Sequence, residues 1–319
     1  MHYRSIADLN RTVVEHVPRL PSEIDLVVGI PRSGMLAASL LALHANLTLT
    51  DLDGFVNGRV MESGIHRSGI GQKSASVTSF RRALIVDDSL LSGVEMRRAR
   101  ARIEEAGLAD KCCFSAVFCK PGEEGQLDFV FEACPTPRVF EWNLMHGHVL
   151  PKSCVDIDGV LCVDPTDEQN DDGPRYRDFL AHATPLWRPS ARIDTLVTSR
   201  LEKYREPTEF WLAAQGIEFD RLVMMQYATM RERQEARAYA QFKADAYTRT
   251  SNVLFIESSP VVSPEIARLA GKPVLCIENH VLYDPSGLPH AREQFKAAVS
   301  GGGTLIRRAV GKVKRLLFA

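Results

Sequence analysis

The stretch that most constrains this chain is Cys154 to Cys162, CVDIDGVLC. A short apolar run ends in Asp156, Asp158 follows two residues later, and a glycine comes next. Residues i and i+2 of an extended strand project to the same side, so both carboxylates stand together at the strand's carboxyl end. In open α/β sheets that end is where ligands bind, and two carboxylates can hold a divalent cation that neither holds well alone. A strand closed by an Asp-Gly turn would use the same residues. Three later stretches decide between these readings.

Composition sets the frame. At 319 residues the chain is long for one hydrophobic core and favours two domains. Its 45% hydrophobic and 25% charged content is that of a globular protein rather than a disordered or fibrous one. A net charge of -1 gives no electrostatic footprint for nucleic acid, so no nucleic-acid partner is expected. Apolar runs are short and interrupted by charge, and MHYRSIADLN lacks the apolar core of a signal peptide. Seven cysteines without a repeated CxxC spacing argue against a disulfide framework or zinc site, and Cys112 and Cys113 suit a core. The expected compartment is the cytoplasm.

After a helix-like start, Ile24 to Ile30 is apolar apart from Asp25 and Gly29, which suits a strand buried on both faces. Pro31, Arg32, Ser33 and Gly34 make a tight loop before an apolar helix from about Met35 to Leu43. Such a loop offers backbone N–H groups at a helix N-terminus, and Arg32 adds a forked cation. An ordinary strand–helix turn with a surface arginine has the same composition. The glycine-rich segment from Asp51 to Ser79 is long for a loop inside a compact domain. Its Arg59, Arg67 and Lys73 could close over an anion or simply be solvated. Then Ala83 to Val86 is a buried strand ended by Asp87 and Asp88, Ser89 to Gly93 is a small-residue loop, and a charged amphipathic helix runs to Gly107.

A hydrophobic strand, two acids, a short loop and a Ser-Gly pair resemble the binding signature of type I phosphoribosyltransferases. The resemblance implies that Asp87 and Asp88 hold the ribose hydroxyls of phosphoribosyl pyrophosphate (PRPP), and that Ser89, Ser92 and Gly93 belong to the loop cradling its 5′-phosphate. It places Arg32 and Ser33 in the pyrophosphate loop and the glycine-rich segment in the mobile hood. The chain departs from the pattern at Glu95, where the family has a small hydroxylic residue. A carboxylate there is expected to repel the phosphate. The residues after Lys111 suggest two further strands finishing the same sheet, with Phe140 and Trp142 as core.

A domain junction is expected between His146 and Ser153, where a glycine and a proline separate two apolar patterns. Beyond CVDIDGVLC lie an acidic stretch, a strand from Ile193 to Arg200 ended by Thr198, a helix containing Trp211, a helical segment carrying Lys243, and a buried strand ending in Glu257. This ordered set resembles haloacid dehalogenase-like (HAD) phosphohydrolases. By that resemblance Asp156 is the nucleophile, Asp158 the acid/base, Thr198 the phosphoryl hydrogen-bond donor and Lys243 the cation. Asp156, Asp158 and Glu257 would bind magnesium, with Ser258 and Ser259 standing where many members carry a further acid. The chemistry suits these residue types, since a carboxylate nucleophile divides one hard displacement into two easier ones. No stretch is long enough for a large cap, so an open site is expected.

The tail from Ser300 begins with a three-glycine hinge and continues with apolar positions alternating with five basic residues and no acid. It suits a membrane-surface helix, a partner-binding helix or a packed terminal helix. The expectation is therefore an α/β protein of two domains, each a largely parallel sheet flanked by helices. Residues 1–147 would be phosphoribosyltransferase-like, 148–298 a capless HAD-like phosphatase, and 299–319 a basic tail. The expected function is bifunctional, handling PRPP and hydrolysing a phosphorylated small molecule with Mg2+. The alternative is a phosphatase regulated by a non-catalytic PRPP sensor.

Overall fold

The computed structural model describes residues 1–61, 79–286 and 288–289. The chain divides between Trp142 and Asn143 into two compact units, a few residues before the expected junction. Arg67, Lys73 and the basic tail lie outside the described residues.

The first unit runs β1 (His2–Arg4), α1 (Ile6–His16), β2 (Ile24–Gly29), α2 (Gly34–Ala45), β3 (Thr48–Asp51), α3 (Leu52–Val56), β4 (Arg82–Leu90), α4 (Val94–Glu105), β5 (Cys112–Cys119), β6 (Phe129–Ala133) and β7 (Arg138–Phe140). Five strands form a wholly parallel sheet in the order β3-β2-β4-β5-β6. All six residues of β2 are buried. The two-residue period of a strand assigns them to two cores. Leu26, Val28, Ala83 and Ile85 pack with Met96 and Ile103 of α4, while Val27, Leu84 and Val86 pack with Leu41 of α2. This double burial accounts for unbroken apolar runs where a one-sided sheet would alternate. Two details differ from expectation. β4 continues through Asp87 and Asp88 to Leu90, because Ser89 and Leu90 still pair with Phe118 and Cys119 of β5. β7 leaves the main sheet and pairs in parallel with β1.

The second unit runs β8 (Ser153–Val155), α5 (Pro174–His182), β9 (Ile193–Leu201), α6 (Arg205–Ala214), β10 (Phe219–Met225), α7 (Met230–Ala236), α8 (Tyr239–Thr248), β11 (Leu254–Glu257), α9 (Val262–Ala270), β12 (Val274–Cys276) and β13 (Val281–Tyr283). Its strand order is β10-β9-β8-β11-β12-β13, parallel except for the last pair. Thr198 is internal to β9 rather than at its end, since pairing with β10 carries on to Leu201. The acidic stretch after Cys162 contributes α5, begun by Pro174 at a first-turn position that needs no N–H. All seven cysteines are buried free thiols.

In both units the strand order reverses beside the first strand of the sheet. The reversal lies between β2 and β4 in one unit and between β8 and β11 in the other. Successive crossovers leave in opposite directions there, which opens a crevice at the carboxyl ends of the strands. Each group of candidate residues lies at such a reversal.

Phe255, fully buried in β11 and edge-on to Tyr247 with ring centroids 5.6 Å apart, anchors the second core. Phe255→Ala is expected to cost about 3–5 kcal/mol. Urea unfolding followed at Trp211 should show a lower midpoint at an unchanged slope.

Candidate functional site

In the second unit, Asp156 follows β8 and Glu257 ends β11, the two strands flanking the reversal. Lys243 reaches between them from α8. Its Nζ donates to Asp156 Oδ2 at 2.6 Å and to Glu257 Oε2 at 2.7 Å, and all three side chains are buried. The remaining oxygens are also held. Asp156 Oδ1 accepts the Ile157 amide at 2.8 Å, and Glu257 Oε1 accepts the amides of Ser258 and Ser259, each at 3.2 Å. Burial pushes the Asp156 carboxyl upward, Lys243 pulls it back, and Glu257 pushes it up again. For Lys243 burial alone would favour the neutral amine, but the two carboxylates outweigh it and hold the ammonium above its ordinary value.

Asp158 is held differently. Arg200, fully buried, donates Nη2 to Asp158 Oδ1 at 2.7 Å and Nε to both carboxylate oxygens at 3.1 and 3.2 Å. Its Nη1 reaches Thr208 Oγ1 at 3.3 Å. Asp158 is the most open of the three acids, its side chain 19% exposed against 7% for Asp156 and 2% for Glu257. The expectation of an open site therefore needs correction, because the nucleophile candidate lies almost wholly inside. Thr198 Oγ1, fully buried, accepts the Arg200 amide at 3.2 Å. Sequence reasoning missed Arg200; the signal was its place two residues after Thr198, on the same side of a strand. It also missed Asp164. A Cβ on Gly159 would come within 3.0 Å of Asp164 Oδ2, and burial, then Asp158 and Glu257, raise that carboxyl's pKa.

Among the described residues no group of three or more His, Cys, Asp or Glu side chains is placed to hold a metal ion. Of the expected magnesium set of Asp156, Asp158 and Glu257, the Asp158 carboxylate is engaged by Arg200. Asp156 and Glu257 remain close enough to share Lys243. A pair of buried carboxylates fits magnesium, which is commonly bound by one or two carboxylates together with substrate phosphate and water.

In the first unit, Asp87 and Asp88 lie near the carboxyl end of β4, beside the loop that follows β2. The Ile30 amide donates to Val86 O at 2.9 Å. A Cβ on Gly34 would stand 2.7 Å from Val86 O and 3.1 Å from Asp87 Oδ1, so glycine is what lets α2 begin against the acids. Arg32 is exposed and Ser33 half-buried in this loop. Trp142, expected as core, donates Nε1 to Asp88 Oδ2 at 2.7 Å. Burial and the adjoining Asp88 push Asp87 up to about 8, and burial raises Asp88 as well. Ser89 stays in β4, leaving Leu91 to Gly93 as the loop before α4, with Gly93 at φ 71°. The Ser92 carbonyl accepts Arg97 Nη1 at 2.9 Å. Glu95 stands in the first turn of α4, near enough for its charge to act on Asp87. Its side chain is 60% exposed and bonds Arg98 at 2.8 Å, one helical turn on.

No protein-family model matches this chain, and no curated protein matches it. Solved structures give partial likenesses. A purine phosphoribosyltransferase from Pyrococcus horikoshii Ot3 is 18% identical, over 44% of this chain and 92% of its own, with a TM-score of 0.31. A xanthine-guanine-hypoxanthine phosphoribosyltransferase from Helicobacter pylori is 16% identical, over 45% and 92%, with a TM-score of 0.34. A Trypanosoma cruzi hypoxanthine phosphoribosyltransferase is 13% identical, over 41% and 74%, with a TM-score of 0.26. Scores of this size leave the functional assignment to the side chains.

The raised Asp87 pKa sets a pH dependence. The folded state binds this proton more tightly than the unfolded chain, whose carboxyl titrates near ~4. Stability from Asp87 is therefore complete at low pH and is lost as pH rises from that value through about 8. Asp87→Asn is expected to flatten the fall in the first unit's melting temperature between those limits, measured by calorimetry across the pH range.

Proposed function

We propose that the second unit hydrolyses small phosphomonoesters through a phosphorylated Asp156, and that the first unit binds and transfers a phosphoribosyl group from PRPP. The observation that carries the phosphohydrolase reading is Asp156 joined through Lys243 to Glu257 at the strand reversal. An Asp156 oxygen attacks phosphorus as the ester P–O bond breaks, and Asp158 in its protonated form delivers its proton to the departing oxygen. Water then attacks the phosphoryl group, Asp158 takes the proton, and the Asp156 carboxylate is restored with release of phosphate. Thr198, whose oxygen already accepts the Arg200 amide, keeps its hydroxyl proton to donate to the transferring group. Lys243 supplies fixed positive charge where negative charge gathers in the transition state. Magnesium on Asp156 and Glu257 would neutralise charge between a carboxylate and a phosphate dianion.

For the first unit, the buried pair Asp87 and Asp88 beside the Gly34 loop supports recognition of a ribose diol. A non-catalytic sensor was the alternative because Glu95 was expected to oppose the 5′-phosphate. Its pairing with Arg98 at 2.8 Å supports transfer over the sensor reading, because the cation offsets the charge that would oppose the phosphate.

Asp156→Asn is expected to lower magnesium-dependent release of phosphate from p-nitrophenyl phosphate by at least ~10³-fold while the melting temperature is kept, since the nucleophile is lost and little volume changes. Turnover near that of the natural chain would remove the aspartyl-phosphate mechanism. PRPP affinity, measured by calorimetry, should survive Asp156→Asn and fall in the double change Asp87→Asn with Asp88→Asn. Glu95→Thr should leave that affinity nearly unchanged and cost the helix roughly 0.3–1 kcal/mol.

A further inference from the structure

Among the described residues one buried side-chain polar atom has no hydrogen-bond partner, and it is Nε of Arg233. Leaving a buried donor unmade is costly, more so when it is charged, so such an atom in a well-satisfied interior calls for a reason. Its surroundings supply one. Arg233 is carried by α7, and its Nη1 donates to the Ser199 carbonyl at 2.9 Å. Ser199 stands between Thr198, placed above against the transferring phosphoryl group, and Arg200, which holds Asp158. The Arg233 charge also acts on Tyr176, a buried ring that feels Asp158 and Arg200 as well. The guanidinium therefore sits at the border of the same site. With Nη1 occupied and Nε without a hydrogen-bond partner, the Nε–Nη2 edge retains a donor to satisfy, and the geometry of that edge matches two oxygens of a phosphate.

Charge points the same way. Lys243 and Arg200, the cations beside Asp156, Asp158 and Glu257, are each already bonded to these carboxyl groups before substrate arrives. A phosphate dianion entering such a site needs further positive charge within reach. Resting on the phosphohydrolase reading above, we propose that Arg233 is a substrate-binding residue that takes a pair of phosphate oxygens through its Nε–Nη2 edge.

The test uses the full chain with magnesium and inorganic phosphate as the probe, measured by calorimetry, together with steady-state hydrolysis of p-nitrophenyl phosphate. Arg233→Gln is expected to weaken phosphate binding by about tenfold or more and to raise KM by a similar factor, with kcat kept within about threefold. Arg233→Lys, which keeps the charge without the fork, should recover part of the loss. It carries the test if the glutamine variant does not fold. Phosphate affinity and KM unchanged in a folded variant would overturn the assignment while leaving the hydrolysis reading intact. Phosphate binding that depends on Arg233 in a chain without turnover would leave the assignment standing and remove the reaction. A natural chain that binds no phosphate would overturn both.

Discussion

The second unit depends on one buried ammonium. Two carboxylates at the ends of adjacent parallel strands would repel each other in a medium of low dielectric, and neither Asp156 nor Glu257 has water to solvate it. Lys243 makes that placement possible by bonding to both. A buried ion pair is weak evidence for stability, since two charges must be taken out of water to form it. A hydrophobic trio of similar volume would fill the space at less cost. Retaining three ionisable groups at the strand reversal therefore points to chemistry rather than to folding.

The two units solve the same geometric problem with different residues. In each, a parallel sheet buried on both faces reverses direction beside its first strand, and the acids stand at that reversal. Two backbone features then bring loops close to them. Gly34 lets a helix start against Asp87, and Gly159, at φ 73°, turns the chain after Asp158 towards Ser258 and Asp164. The electrostatic outcomes differ because the partners differ. Asp87 is raised by burial and by Asp88, and Asp156 is raised by burial although Lys243 pulls it back. Lys243 and Arg200 each find carboxylates, so they keep their charge.

Much of this was legible in the sequence for a definite reason. Unbroken apolar runs such as Ile24 to Gly29 announce strands buried on both faces, and the groups that follow them mark the carboxyl end of the sheet. Asp156 and Glu257 were singled out this way, and Lys243, 87 residues from Asp156, through the order of the motifs. What escaped was set by tertiary contact. Arg200 is a charged residue inside a strand, unremarkable until Asp158 is seen to meet it. Trp142 has the composition of a core residue, and only the fold brings its indole to Asp88. The ends of β4 and β9 were placed too early because polar residues were taken as terminators, whereas pairing with β5 and β10 carries both strands further. The pairing of Glu95 with Arg98, one helical turn on, was likewise not read from the sequence.

The serine at position 258 follows from the same geometry. A Cβ added to Gly159 would collide with the Ser258 side chain, so the loops after β8 and β11 touch at this point. Ser258 Oγ lies 3.5 Å from the Asp158 carbonyl, and its amide helps hold Glu257. A longer acidic side chain there would have to push these loops apart. It would also bring a further negative charge to a site where Asp164 is already raised by burial and by its acidic neighbours. With only Lys243 and Arg200 bonded to the three acids, another carboxylate would have no cation to meet it. Asp164 supplies the additional acid from the opposite loop instead, where it needs no space between β8 and β11.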